Sequence, residues 1–191
     1  DVKEQSYRHN TGLAEQLGIS ESMRFVQGDI GSVDLDEAPD VVLALHACDT
    51  ATDDALARAV LWDASLVLAA PCCHHDIAAQ LRRAPTPAPY TLLTRHGILR
   101  ERFADTLTDA LRAGAMRLLG YRVDVIEFVE SKHTPRNTLL RATRTGAAPG
   151  PAVKEEFEDL LRTWNVHPRL ADLLEERIAQ VVGERSDEPA R

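Results

Sequence analysis

Two short segments concentrate side chains able to move protons or hold metals: His46-Ala47-Cys48-Asp49 and Pro71-Cys72-Cys73-His74-His75. Histidine titrates near neutral pH and can take a proton from a hydroxyl acceptor, and an aspartate within hydrogen-bond reach can do the same. His46, Asp49 and His75 are therefore the candidate catalytic residues. His46 and His75 are expected to face the acceptor, with Cys72 and His74 shaping its pocket. The same residue types ligate zinc. Adjacent residues after a strand point in alternating directions, however, and do not easily close one tetrahedron, whose paired ligands are usually about two to four residues apart. A zinc site would need Cys48 or His46 to swing in, and no metal is assigned.

The elements that must position these segments are legible in the apolar pattern. Val41 to Leu45 and Ser65 to Ala70 are buried runs of the kind found in parallel strands covered on both faces, and each ends just before one of the segments. Thr50 to Asp53 resembles a capping box, and Leu56, Ala59 and Val60 continue a helix from it. Ile77 to Arg83 reads as a short helix, Ala84 to Pro89 as a proline-rich loop, and Phe103, Leu107, Leu111 and Leu118 as one face of a helix closed at Gly120. Val123 to Val129 and Asn137 to Ala142 read as an antiparallel hairpin turning at Lys132-His133-Thr134-Pro135-Arg136. Upstream, Tyr7, Ala14 and Leu17 mark a helix ended by Gly18, and Phe25-Val26 marks a strand leading to Gly28-Asp29-Ile30.

Strands alternating with helices imply an α/β fold whose parallel sheet binds ligands beyond the carboxyl ends of its strands. Asp1, Asp29, the 46–49 segment and the 71–75 segment all follow strands, so they are expected to gather along one edge. Beyond the linker at Gly146 to Pro151 come two amphipathic helices. One carries Val153, Phe157, Leu160, Leu161 and Trp164. The other starts near Pro168 and carries Leu170, Leu173, Leu174, Ile178 and Val181. The expected division is a domain over 1–146 and a helical extension over 151–183 packed on it, with a frayed tail from Glu184.

The post-strand acids suit a nucleoside. An acid after one strand can accept from both ribose hydroxyls, as Asp1 would, with Val2 against the adenine face. Asp29 can accept from the adenine amine while Ile30 encloses the ring and Gly28 forms the turn. This pattern, with the late antiparallel hairpin, resembles the class I S-adenosylmethionine-dependent methyltransferases. Within that class, Leu45-His46-Ala47-Cys48-Asp49-Thr50-Ala51-Thr52-Asp53 and Cys72-Cys73-His74-His75 resemble the tRNA 2′-O-methyltransferases of the acceptor-stem type and related methyltransferase-like proteins. Those share a His-x-Cys-Gly-x-Ala-Thr-Asp stretch and a Cys-Cys-His-His stretch; Asp49 stands where glycine is usual. The resemblance covers about Asp1 to Arg144.

It implies a three-layer Rossmann-like sheet, S-adenosylmethionine as cofactor held by Asp1, Val2, Gly28, Asp29, Ile30 and His46, and substrate contacts from Cys72, His74, Lys132 and Arg136. Family members carry a first strand and a glycine-rich turn that this sequence lacks, so the domain is expected to be amino-terminally incomplete. That lack and Asp49 also support a rival reading, a non-catalytic binding module that retains the fold.

Composition bounds the partners. The chain has 191 residues and a formal net charge of −8, which excludes a general nucleic-acid coat. Two windows nevertheless hold bases without acids: Arg82, Arg83, Arg95 and Arg100 between Ile77 and Arg100, and Lys132, Arg136, Arg141, Arg144 and Lys154 between Ser131 and Lys154. RNA is the favoured acceptor through these patches and the resemblance, with a small molecule or a protein as alternatives. Three cysteines without framework spacing, no apolar run of membrane-spanning length and no signal-like start lead to the expectation of a cytoplasmic location without membrane attachment.

Overall fold

The computed structural model of the chain describes residues 3–45, 47–130, 132–134 and 136–183. Two compact units divide it, Asp1–Ala38 and Pro39–Arg191. The amino-terminal unit contains helix α1 (Glu4–Gln16) and a single 3-10 turn at Ser20–Ser22. Gly18 follows α1 at φ +69°, a left-handed conformation that glycine adopts without a Cβ clash. The strand expected at Phe25-Val26 is not formed. A strand is defined by its ladder of paired backbone groups, and among the described residues the four-stranded sheet does not include Phe25 or Val26.

The larger unit is built on a four-stranded sheet. In chain order its elements are β1 (Val41–Leu45), α2 (Thr50–Leu61), β2 (Leu66–Ala70), α3 (His75–Arg83), α4 (Thr91–Thr94), α5 (Gly97–Leu118), β3 (Tyr121–Glu127), β4 (Thr138–Arg144), α6 (Pro151–Trp164), α7 (Arg169–Leu173) and α8 (Glu175–Gly183). The spatial order is β1-β2-β4-β3. β1 and β2 run parallel, joined through α2, whereas β4 is antiparallel to both β2 and β3 and lies between them. The expected hairpin is thus present, with its second strand inserted into the sheet and its first at the edge. Gly120, at φ +85°, turns the chain from α5 into β3, and its carbonyl accepts from the N–H groups of Thr145 and Gly146 at the end of β4.

Burial follows the two-residue period of the strands. Ala44, Val67, Ala69, Leu140, Ala142, Tyr121 and Val123 are buried in the core, with α2 and α5 contacting the strands. β1 departs from the expectation of a strand covered on both faces, because Val41, Leu43 and Leu45 are exposed at 47, 61 and 55%. An apolar run shows that a strand can be buried on both faces, and only neighbouring elements determine whether it is.

The helices after residue 150 belong to the core of this unit. Phe157, Trp164, Val166, Leu170 and Leu174 are buried in the same cluster as β2. Trp164 packs against Phe103 with ring centroids 4.3 Å apart, and Gly114 on α5 leaves room for Phe157. The boundary between the compact units falls at Ala38, and the helices after residue 150 lie in the larger unit, packed on its core. Pro151 opens α6, where its missing N–H costs nothing, and Asn165 ends it in the left-handed region at φ +48°. The single second helix expected from Pro168 is interrupted at Leu174.

Candidate active site

Because β1 and β2 are parallel and in register, with Leu45 opposite Ala70, their carboxyl ends lie side by side. The chain leaves both ends into the two segments singled out above. His46 lies outside the described residues. Cys48 is exposed and Cys72 and Cys73 are partly buried. The sulfurs converge: Cys48 Sγ is 3.1 Å from Cys72 Sγ, which is 3.7 Å from Cys73 Sγ. Hydrogen bonding with Cys48, then burial, then hydrogen bonding with Cys73 push the Cys72 thiol from its ordinary 9.0 up to about 12.

Asp49 sits between β1 and α2 at φ +54°, a region that favours glycine and costs another residue about 1–3 kcal/mol. Two contacts hold it there. Its Oδ1 accepts from the Asp76 N–H in the first turn of α3 at 3.1 Å, and its main-chain carbonyl accepts from Arg112 Nη2 at 2.8 Å. Arg112, on α5, is 1% exposed and also grips Asp53 through Nε and Nη2 at 2.9 and 2.8 Å. Burial pushes the Asp53 carboxyl up, opposed by the guanidinium. Asp49 thus carries the loop geometry, with one carboxylate oxygen held on the Asp76 N–H.

The adjacent histidines part company. His74 is 4% exposed, its Nε2 hydrogen-bonded to Asp109 Oδ1 at 2.9 Å and its Nδ1 lying 3.2 Å from Asp105 Oδ1 without alignment for a hydrogen bond. It is buried between two α5 carboxylates. His75, the first residue of α3, is exposed beside the cysteine loop. Arg136 reaches back from the hairpin turn, donating to the Cys72 carbonyl at 2.9 Å and lying 3.5 Å from Asp105 Oδ2. Lys132 pairs with Glu130 and stays out at the turn.

Sequence reasoning missed Asp105, Asp109 and Arg112, which brace the site from α5. Their signal was present: three ionisable residues at helical spacing beside an apolar stripe, a pattern that buried charges adopt only when paired.

The basic windows look different once folded. Arg82 pairs with Glu101, Arg141 with Asp124 and Arg144 with Asp63. Acids outside each window thus pair with Arg82 of the first and with most of the bases of the second.

In the amino-terminal unit, Asp29 is exposed and its Oδ1 accepts from the Gly31 N–H at 2.7 Å, a local turn. Ile30 beside it is 37% exposed, and Gly28 is partly buried. Asp1 and Val2 lie outside the described residues. Of the four post-strand positions, the sheet brings together the two that follow β1 and β2.

The segment from the amino terminus through β2 and into α3 has a recognisable relative. Residues 1–80 match a methyltransferase-domain family. This methyltransferase match takes in Asp29, the cysteine-bearing loops and both histidines of the 71–75 segment; Arg112, Arg136 and the hairpin lie beyond it. No curated protein and no solved structure matches the chain. Among the described residues, no helix is long and apolar enough to cross a membrane.

Proposed function

We propose that the chain transfers a methyl group from S-adenosylmethionine to a nucleophilic acceptor that docks at the carboxyl ends of β1 and β2. The observation that carries this reading is the span of the family match, which contains both post-strand loops and the Asp29 turn. The exposed Asp29 carboxylate beside the exposed Ile30 side chain fits a nucleoside, one accepting from the adenine amine and the other covering the ring. The family resemblance implies further cofactor contacts from Asp1, Val2, Gly28 and His46. When bound, S-adenosylmethionine supplies an electrophilic methyl group, so the protein's own work is to align the acceptor and remove its proton.

His75 is the base in this reading, since among the described residues it is the exposed histidine at the site, and His46 is the other candidate. Asp49 and Arg112 are positioning residues for that loop. Cys72 and Arg136 flank the acceptor. An RNA hydroxyl or base is the favoured acceptor, supported by the resemblance of the 46–53 and 72–75 segments and by Arg136, which keeps part of its side chain exposed while it pairs with Asp105 and the Cys72 carbonyl; the ion pairs of the other arginines argue for a local contact and against a broad electropositive surface. The work is assigned to the cytoplasm.

Calorimetric titration of S-adenosylhomocysteine, with Asp29→Ala alongside, tests the cofactor. Binding that is lost in the variant supports the reading, and a folded chain that binds nothing overturns it. Transfer of labelled methyl to tRNA, to protein or to small nucleophiles then identifies the acceptor. A His75→Ala protein with undiminished turnover removes His75 from the mechanism.

A further inference from the structure

Cys48 and Cys73 have no duty in the methyl transfer proposed above, and Cys72 there only flanks the acceptor. The chain has three cysteines, and all of them meet at this point, although Cys48 and Cys72 belong to loops after different strands. Their sulfurs all lie within 4.8 Å of one another. The alternation that keeps neighbouring side chains apart applies within a strand, and β2 ends at Ala70, so Cys72 and Cys73 are free to turn their sulfurs to the same side.

We propose that Cys48, Cys72 and Cys73 together bind one thiophilic divalent cation of the zinc class, held by three sulfurs with its fourth position open to solvent. Zinc–sulfur bonds of about 2.3 Å in a tetrahedron set the sulfurs about 3.8 Å apart. The pair at 3.7 Å already has this spacing, and the pair at 3.1 Å needs to open by a small rotation of the exposed Cys48 side chain.

The frame around the sulfurs is built independently of them. Arg136 anchors the Cys72 carbonyl, and Asp49, one residue after Cys48, is tied to Asp76 and Arg112. Three thiolates on a dication leave one net negative charge, in a loop whose Cys72 carbonyl already holds the Arg136 guanidinium. Exposure of Cys48 gives the ion a way in and leaves room for a solvent ligand, the pattern of an open zinc site and not of a closed structural one. Cysteines that served only as packing would be buried away from water, as free cysteines usually are.

The test uses the full chain, reduced and freed of metal by a chelator, titrated with cobalt(II) and followed by absorption. One equivalent is expected to produce a sulfur-to-cobalt charge-transfer band and the intense visible bands of tetrahedral cobalt, both abolished by zinc. Cys48→Ser and Cys73→Ser are each expected to weaken cobalt binding by roughly tenfold or more. A measurement on the unaltered chain guards against misfolded variants: zinc should protect all three thiols from alkylation together, as read by mass spectrometry. Absence of the charge-transfer band, its persistence in Cys48→Ser, unchanged alkylation with zinc, or formation of a Cys48–Cys72 disulfide in place of metal uptake would each overturn the proposal. None of these readouts depends on methyl transfer.

Discussion

Arg112 donates from one nitrogen to the main-chain carbonyl of Asp49 and, through Nε and that same nitrogen, holds both oxygens of Asp53. A charge on α5 therefore fixes the backbone of the loop after β1, at a residue whose φ is positive. The bidentate geometry suits guanidinium and not ammonium, so lysine is no substitute.

Replacing Arg112 with methionine leaves the buried Asp53 carboxylate unpaired, and the expected loss is about 3–5 kcal/mol of stability. Exchanging the pair together, Arg112→Met with Asp53→Leu, should restore a large part of it. Urea unfolding of the single and double variants measures both. A single variant as stable as the parent would mean that the ion pair does not hold this part of the core.

His74 and His75 are neighbours with opposite expected behaviour. His74→Ala removes a buried ring from between Asp105 and Asp109 and is expected to cost about 1–3 kcal/mol. His75→Ala, on the surface, should change stability by no more than about 0.5 kcal/mol. Its effect belongs to turnover, which under the proposed function falls by about 10²-fold or more. Thermal unfolding and methyl-transfer rates on the two proteins separate the roles, and a destabilised His75→Ala with normal turnover would reverse them.

Tyr121 ties the start of β3 to the loop before β2, its hydroxyl donating to the Ala64 carbonyl at 3.0 Å. Tyr121→Phe should cost about 0.5–1.5 kcal/mol at neutral pH. Burial raises the phenol above its usual 10.0. A folded pKa above the unfolded one means that the tyrosine's contribution is complete below pH 10 and is lost as pH rises through the folded value. The stability gap between parent and variant should therefore narrow in strongly alkaline solution, and chemical unfolding on either side of pH 10 reads it. A gap that widens there contradicts the assignment.

Phe157 on α6 packs where Gly114 leaves space on α5, so the carboxyl-terminal helices should unfold with the sheet. Phe157→Ala is expected to cost about 3–5 kcal/mol, and helical and tryptophan signals should still melt together. Two separate transitions would show that these helices form an appendage.

Local pattern carried much of the architecture. The apolar runs located β1 and β2, the helical spacing located α5, and the turn residues located the hairpin, because side-chain period and backbone punctuation are properties of neighbouring residues. It failed at Phe25-Val26 and on the exposed face of β1, where the outcome depends on whether another strand or layer is present. Linker composition at 146–151 likewise cannot reveal that Trp164 will pack against Phe103.

The site divides along the same line. By itself the sequence determined which chemistry was available, since it set cysteine, histidine and aspartate immediately after two apolar runs. Tertiary structure alone decided how that chemistry is arranged: His74 inside and His75 outside, three sulfurs together, and Arg112 beneath Asp49. The physical reason is that the parallel register of β1 with β2 joins loops far apart in the chain, and that a long helix crossing beneath them supplies the charges that hold their backbone.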